Sequence, residues 1–176
     1  MKLSRGYIQV YTGNGKGKTT AAIGLAVRAL GHGFRVYFAQ FMKNFPYGEL
    51  EILKRFASHL VLKNWGNDAF VFNKQPPSAE LVSEMQKGLS QAREAMLGST
   101  YDLVILDEVL VSIYFKLFTI DQVVDFLKVK PANVELVLTG RYCPQEILEL
   151  ADLVTNMEEI KHYYHRGVSA RKGIEN

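Results

Sequence analysis

The stretch of sequence that decides the fold is TGNGKGKTT at residues 12–20. It follows a strand-like run at residues 6–11 and leads into residues 19–30, where apolar side chains recur at the spacing of a helix. Glycines in such a turn let successive backbone N–H groups face phosphate oxygens, and the N-terminus of the following helix adds partial positive charge. The sequence therefore predicts a phosphate-binding loop of the P-loop type.

Two side chains of this loop have specific expected roles. The Lys18 ammonium is expected to contact the phosphates, and the Thr19 hydroxyl is expected to bind Mg²⁺. The usual eight-residue pattern, read back from Thr19, begins here with Thr12 rather than glycine, so the backbone path is expected to differ from that of a standard P-loop. The residues predicted to bind the nucleotide are Thr12, Gly13, Asn14, Gly15, Lys16, Gly17, Lys18, Thr19 and Thr20.

Outside the loop, short apolar and β-branched runs alternate with longer helical patterns. Residues 64–78 are predicted to be a functional loop, and residues 162–176 a polar tail and a candidate mobile terminus. The alternation predicts an α/β fold with a mostly parallel central sheet and helices on both of its faces. Strands are predicted at residues 6–11, 35–40, 60–63, 103–107, 135–139 and 153–157, and helices at residues 19–30, 47–56, 78–98, 120–128 and 144–150.

Charged side chains follow two of the predicted buried strands. Asp107 and Glu108 end one apolar run, and Arg141 follows another. Because ligands bind at the carboxyl ends of parallel strands, either carboxylate is a candidate Mg²⁺ ligand, and Arg141 is placed to reach the phosphates. The predicted catalytic residues are Lys18, Glu108 and Arg141, and the predicted metal ligands are Thr19, Asp107 and Glu108.

Length and composition indicate one domain over residues 1–176 and exclude collagen-like, disordered and coiled-coil classes. A single cysteine, Cys143, excludes an intramolecular disulfide framework and a four-cysteine zinc site. No long apolar run and no apolar signal core are present, so we expect a cytoplasmic protein without a membrane span. The net charge of +3 suits an anionic ligand but does not indicate nucleic acid.

Several short motifs together carry a resemblance to a known family. They lie at residues 11–22, 31–33, 40–43, 106–108, 138–141, 151–155, 161–162, 167 and 170–175. On these motifs the chain resembles, over nearly its whole length, the P-loop corrinoid adenosyltransferases that act on cob(I)yrinic acid a,c-diamide or cob(I)alamin. The phosphate loop alone would fit many nucleotide hydrolases, whereas the whole set with the tail is specific.

This resemblance implies an enzyme with a RecA-like sheet that binds Mg-ATP and a reduced corrinoid. The Co(I) nucleophile would attack the 5′ carbon of ATP and release triphosphate, which the loop would hold in the reverse sense to ordinary P-loop enzymes. No base to activate water would be needed, and preorganised donors would instead stabilise charge on the leaving triphosphate. The resemblance also implies a homodimer and an electron donor for the corrinoid, such as the reductase partner flavodoxin.

The resemblance further implies an aromatic contact with the corrin ring. The matching positions are Phe70 and Phe72, where a tryptophan is commoner at the second position and Trp65 lies nearby in sequence. Two other departures concern the termini, since the chain lacks the N-terminal extension of some relatives and reads Tyr-His-Arg at residues 164–166 where Phe-Asp-Ala is commoner. The alternative for both phenylalanines is ordinary core packing.

Two other functions remain open from the residues alone. A P-loop ATPase or small-molecule kinase would need a base, for which Glu108 is available, and would release diphosphate or phosphate rather than triphosphate. A nucleic-acid-binding protein would show a steep dependence of affinity on salt. Its candidate contacts are Lys161, Arg166, Arg171 and Lys172.

Overall fold

A single sheet of six parallel strands organises the chain. The computed structural model describes residues 3–43, 48–72 and 75–175, apart from the side chain of Leu50. The strands are β1 (Ile8–Thr12), β2 (Val36–Phe41), β3 (Leu60–Trp65), β4 (Leu103–Asp107), β5 (Glu135–Thr139) and β6 (Leu153–Asn156). Their order across the sheet is β3-β2-β4-β5-β1-β6, and every neighbouring pair is parallel. The predicted α/β class and parallel sheet are confirmed.

Helices cover both faces of the sheet, as expected for parallel strands buried on both sides. Alternate residues of β2 point to opposite faces, so that Phe38 packs with α1 and β4 while Tyr37 belongs to the core formed with α4 and α5. The helices are α1 (Lys18–Gly31), α2 (Gly48–Leu53), α3 (Ala69–Phe72), α4 (Ala79–Leu97), α5 (Val109–Tyr114), α6 (Ile120–Lys128) and α7 (Gln145–Leu150), with 3-10 turns at Lys54–Phe56 and Tyr163–Arg166.

Three regions differ from the sequence prediction. The predicted loop at residues 64–78 contains the end of β3 and the short helix α3. The predicted helix at residues 47–56 begins at Tyr47, outside the described residues, and within them consists of α2 followed by a 3-10 turn. Helix α5 was not predicted, because its sequence VLVSIY continues the apolar, β-branched character of β4. Glu108, with φ of 61°, breaks the strand and starts that helix.

The topology brings the ends of the central strands to one edge. Strand β5 lies between β1 and β4, so the loop after β1, the carboxylates after β4 and the turn after β5 are neighbours. Long helix α4 begins as predicted, since the Ser78 hydroxyl accepts a hydrogen bond from the backbone of Leu81 at 3.2 Å. Among the residues that the structure describes, no helix has the length and apolar character needed to cross a membrane.

Candidate active site

The loop after β1 is shaped by the segment that follows β6. A Cβ atom on Gly13 would lie 2.4 Å from Asn156 Oδ1, and one on Gly15 would lie 2.6 Å from the carbonyl oxygen of Met157. The Gly15 amide donates a hydrogen bond to that same carbonyl at 2.6 Å. The unusual glycine positions of this P-loop therefore follow from the close approach of a second backbone. Gly17, just before α1, has φ of 114°, a left-handed conformation that glycine adopts readily and that turns the loop into the helix.

Lys18 is held inside the loop. Its side chain starts from the first residue of α1 and is only 7% exposed. The ammonium donates hydrogen bonds to the carbonyl oxygens of Gly13, at 2.8 Å, and Gly15, at 2.6 Å. Burial lowers the pKa of this ammonium, while the Glu108 carboxylate opposes that shift. The loop thus contains a fixed donor group directly beside the positive end of a helix.

A buried carboxylate joins three strand ends behind the loop. Asp107 has no exposed surface, and its Oδ1 accepts hydrogen bonds from the Thr19 hydroxyl, at 2.9 Å, and the Thr139 hydroxyl, at 2.6 Å. Its Oδ2 accepts from Lys43 Nζ at 2.7 Å and from Gln40 Nε2 at 3.2 Å. The Lys43 ammonium also lies 3.1 Å from the Thr19 hydroxyl. Asp107 therefore fixes the first turn of α1 relative to β2 and β5.

Glu108 lies next to this network and faces the cleft. Its backbone amide donates a hydrogen bond to Thr139 Oγ1 at 3.0 Å, so one hydroxyl orients both acidic residues. Burial, followed by repulsion from the Asp107 carboxylate, raises the pKa of Glu108. Lys43 and Lys18 oppose that shift. The site thus places one fully paired carboxylate behind a second carboxylate that lines the cleft.

The cleft in front of these residues has a volume of about 600 Å³. It brings together the predicted residues Lys18, Thr19, Glu108 and Arg141, while Asp107 lies behind them. Its other walls come from α2 and from the C-terminal segment. The lining residues are Gly15, Lys16, Gly17, Lys18, Thr19, Thr20, Ile23, Lys43, Gly48, Glu49, Ile52, Glu108, Arg141, His162, Gly173, Ile174 and Glu175.

The C-terminal segment is folded onto the phosphate loop. Lys16 Nζ lies 3.0 Å from Glu175 Oε1 and 3.3 Å from the Tyr163 hydroxyl. Glu175 also accepts hydrogen bonds from the Tyr163 hydroxyl and from the backbone and guanidinium of Arg171. These donors, Arg171 first, hold the pKa of Glu175 below its usual range. The described part of the tail thus lines one side of the cleft through His162 and residues 173–175, while most of its side chains are exposed.

The donor set suits a magnesium ion that arrives with a nucleotide. Mg²⁺ prefers oxygen ligands and is usually bound through one or two carboxylates together with substrate phosphates. The Thr19 hydroxyl and the Asp107 and Glu108 carboxylates supply such oxygens at one end of the loop. In the described ranges no cluster of three or more His, Cys, Asp or Glu residues could hold a metal ion. A cation here would therefore depend on the phosphates of the substrate for its remaining ligands.

The two phenylalanines predicted to contact the corrin ring have different environments. Phe70 is 9% exposed and packs edge-on against Phe115, with ring centroids 5.5 Å apart. Phe72, at the end of α3, is 77% exposed. Trp65 packs against α4, where a Cβ atom on Gly88 would lie 2.5 Å from the indole ring. Phe72 thus presents an open aromatic face, while Phe70 is part of the core.

Several residues of the site carry no role in the sequence prediction. Lys43, Gln40 and Thr139 occur in the motifs that carry the family resemblance, but their hydrogen bonds to Asp107 depend on the pairing of β2, β4 and β5. These contacts follow from the parallel register that places Gln40 opposite Asp107, and the sequence pattern does not specify that register. The contact between Lys16 and Glu175 joins positions 159 residues apart, which no local pattern reveals.

Comparison with known proteins identifies a family. Residues 4–176 match the family described as ATP:corrinoid adenosyltransferase BtuR/CobO/CobP. The chain is 36% identical to the corrinoid adenosyltransferase CobA of Salmonella typhimurium and 37% identical to the corrinoid adenosyltransferase of Escherichia coli, in both cases over 97% of this chain and 86% of the relative. A corrinoid adenosyltransferase of Pseudomonas aeruginosa is 32% identical over 97% of this chain and 84% of its own length.

A solved structure with low sequence identity shares the fold. The flagellar accessory protein FlaH from Methanocaldococcus jannaschii superposes with a TM-score of 0.57 at 14% identity, over 88% of this chain and 72% of that chain. At this identity the likeness concerns the arrangement of strands and helices alone.

Proposed function

This chain belongs to the ATP:corrinoid adenosyltransferase family and transfers the adenosyl group of ATP to a corrinoid, and we propose that the reaction takes place in the cleft beside the phosphate loop. The observation that carries this assignment is the cleft itself, in which Lys18, Thr19, Glu108 and Arg141 face one volume of about 600 Å³. The loop residues 12–20 would bind the triphosphate of ATP. A cleft of this size accommodates a nucleotide.

The proposed step is a displacement at the 5′ carbon of ATP. The electron pair of Co(I) in the reduced corrinoid forms the cobalt–carbon bond, while the bond from that carbon to the triphosphate oxygen breaks. Cobalt is thereby oxidised to alkylated Co(III), and triphosphate leaves with the electron pair. No proton has to be removed, so a base that activates water, as in the ATPase or kinase alternative, has no task here.

The protein's contribution to this step is electrostatic. Charge builds up on the leaving triphosphate, and donors that are already in place stabilise it without reorganisation. The Lys18 ammonium lies within the loop, where it donates to the carbonyl oxygens of Gly13 and Gly15. On binding of ATP it would donate to phosphate oxygens instead and would then be in place before charge develops. Arg141, which also lines the cleft, would add a second positive charge.

Thr19 and Glu108 are proposed to bind Mg²⁺ at the mouth of the loop, and Asp107 to orient Thr19 from behind. Asp107 already accepts four hydrogen bonds, whereas Glu108 lines the cleft. When bound, the ion would neutralise charge on the triphosphate and hold it in position. Lys43, between Thr19 and Asp107, would keep the buried carboxylate paired.

The exposed ring of Phe72 is proposed to contact the corrin, with Phe70 anchoring α3 to the core. Phe72→Ala is expected to raise the KM for cob(I)alamin several-fold and to leave the KM for ATP unchanged. Tyr7→Ala is the matched control, because Tyr7 is 43% exposed and lies at the opposite end of β1 from the phosphate loop. Equal increases in both KM values would show that Phe72 acts through packing instead.

The remaining proposals concern the whole protein. We propose that residues 1–176 form one domain, that the enzyme is a homodimer in the cytoplasm, and that a reductase such as flavodoxin supplies electrons to the corrinoid. The family match over residues 4–176 supports the single domain, and the family resemblance implies the homodimer and the reductase. Light scattering of the purified protein would measure the mass, and a monomer at micromolar concentration would contradict the dimer.

One experiment tests the proposed reaction directly. The protein is incubated without oxygen with chemically reduced cobalamin and Mg-ATP, and the visible spectrum is followed as the cobalt–carbon bond forms. Triphosphate should appear in equal amount to the adenosylated product. Formation of ADP and phosphate, without adenosylcobalamin, would instead support the ATPase or kinase alternative.

A further inference from the structure

Two tyrosines form an exposed stacked pair at the carboxyl edge of the sheet. Tyr114 ends α5, and Tyr142 lies three residues beyond β5. Their ring centroids are 4.3 Å apart and the ring planes are inclined at 33°. The two side chains remain 58% and 50% exposed. The pair thus presents aromatic surface to solvent beside the cleft instead of adding to the core.

The backbone holds Tyr142 in this position in a conformation that tyrosine rarely adopts. Its φ is 60°, in the left-handed region where a side chain crowds the backbone. Arg141, the preceding residue, lines the cleft, so the turn sends one side chain toward the nucleotide and the next toward Tyr114. Unfavourable backbone conformations of this kind concentrate at ligand sites, where the surrounding structure maintains them.

The pair continues into the aromatic residues of α3. The Tyr114 ring contacts Phe115 edge-on at 5.2 Å, and Phe115 contacts Phe70 at 5.5 Å. Exposed Phe72 lies on the same short helix as Phe70. We call the four rings of Phe72, Phe115, Tyr114 and Tyr142 the aromatic ridge. The ridge spans the loops that follow β3, β4 and β5, all of which end at the same edge of the sheet.

The ridge and the nucleotide cleft are separate surfaces that meet at Arg141. Within the described residues, the cleft lining contains Arg141 but neither tyrosine. The cleft is built mainly from α1, α2 and the C-terminal segment, whereas α3 and α5 belong to the core on the other face of the sheet. A ligand on the ridge would therefore lie next to the nucleotide without sharing its phosphate site.

From this geometry we infer that Tyr114 and Tyr142 form a second aromatic contact for the corrinoid. The inference rests on the proposed function, which requires a large macrocycle to reach the 5′ carbon of ATP. A macrocycle offers flat apolar surface wide enough to cover rings on several loops, and aromatic side chains bind such surfaces by stacking.

The test measures corrinoid affinity separately from nucleotide affinity. Tyr114→Ala and Tyr142→Gly are each expected to raise the KM for cob(I)alamin by about three- to tenfold, with the KM for ATP unchanged. Binding of cob(II)alamin in the presence of ATP, followed by its visible spectrum, should weaken by a similar factor. Tyr142→Gly has a further signature, because glycine relieves the left-handed backbone, so its Tm should equal or exceed that of the wild type.

The control and the contrary outcomes separate this inference from the proposed function. Tyr7→Ala, which removes a comparably exposed ring far from the ridge, should leave both KM values unchanged. If the wild type forms adenosylcobalamin and folded Tyr142→Gly keeps the wild-type KM for cob(I)alamin, the inference is wrong while the function stands. An equal rise in the KM for ATP would also overturn it. If the wild type forms no adenosylcobalamin but still binds cob(II)alamin more tightly than Tyr142→Gly does, the proposed function fails and the contact stands.

Discussion

The Thr139 hydroxyl links the two acidic residues of the site, and replacing it should have a measurable cost in stability. Thr139 is fully buried, donates to Asp107 at 2.6 Å and accepts from the Glu108 amide at 3.0 Å. Thr139→Val keeps the shape of the side chain but removes both hydrogen bonds. A hydrogen bond to a charged group is worth about 1.5–3 kcal/mol, and an unpaired buried amide costs about 1–3 kcal/mol.

The expected loss in the free energy of unfolding is about 3 kcal/mol, because a small relaxation of the backbone offsets part of the two contributions. For a chain of this length, about 1 kcal/mol corresponds to roughly 2–4 °C in Tm, so Thr139→Val should unfold about 6–12 °C below the wild type. Thr139→Ser retains the hydroxyl and loses one buried methyl group. Its expected cost is about 1 kcal/mol, or roughly 2–4 °C.

Thermal unfolding followed by circular dichroism measures all three proteins under one buffer condition. The order of Tm values should be wild type, Thr139→Ser and Thr139→Val. If Thr139→Val unfolded within about 2 °C of the wild type, the hydroxyl would not hold the two acidic residues in place. If Thr139→Ser lost as much as Thr139→Val, the methyl group rather than the hydrogen bonds would account for the loss.

Three further predictions concern the loop, the tail and the thiol. Lys18→Ala should lower the catalytic efficiency with ATP by at least about a hundredfold while the protein stays folded, and unchanged efficiency would refute the role of the loop. Glu175→Gln should make tryptic cleavage within the C-terminal segment faster, because it weakens the contact with Lys16. Glu158→Gln, at an exposed position, should leave the cleavage rate unchanged, and equal rates in the two variants would contradict the contact. Partial burial raises the pKa of Cys143 to about 12, so at pH 8 iodoacetamide should label the native thiol about a thousandfold more slowly than the unfolded one. This ratio should shrink as the pH rises, and rapid labelling of the native thiol at pH 8 would contradict the raised pKa.

The sequence was sufficient to predict the parts of the site that local patterns encode. The glycine-rich loop, the buried strands and the carboxylates at strand ends each have a signature within about ten residues. Some contacts depend on strand register or on the C-terminal segment folding back onto the loop, and these have no such signature. Examples are the contacts of Lys43 with Asp107 and of Lys16 with Glu175. Helix α5 was missed because apolar, β-branched residues suit a buried strand as well as a short helix packed against a sheet.

The close packing between the glycine-rich loop and the segment after β6 links substitutions in the loop to the edge of the sheet. A side chain at Gly13 or Gly15 would collide with residues 156–158, which occupy the adjacent space. Among the described residues, strand β6 is the edge strand next to β1, and its side chains are exposed. The edge strand and the glycine-rich loop should therefore move together. An alanine at either glycine would therefore disturb the edge of the sheet together with the loop, and at Gly13 it would also strain a backbone with φ of 98°.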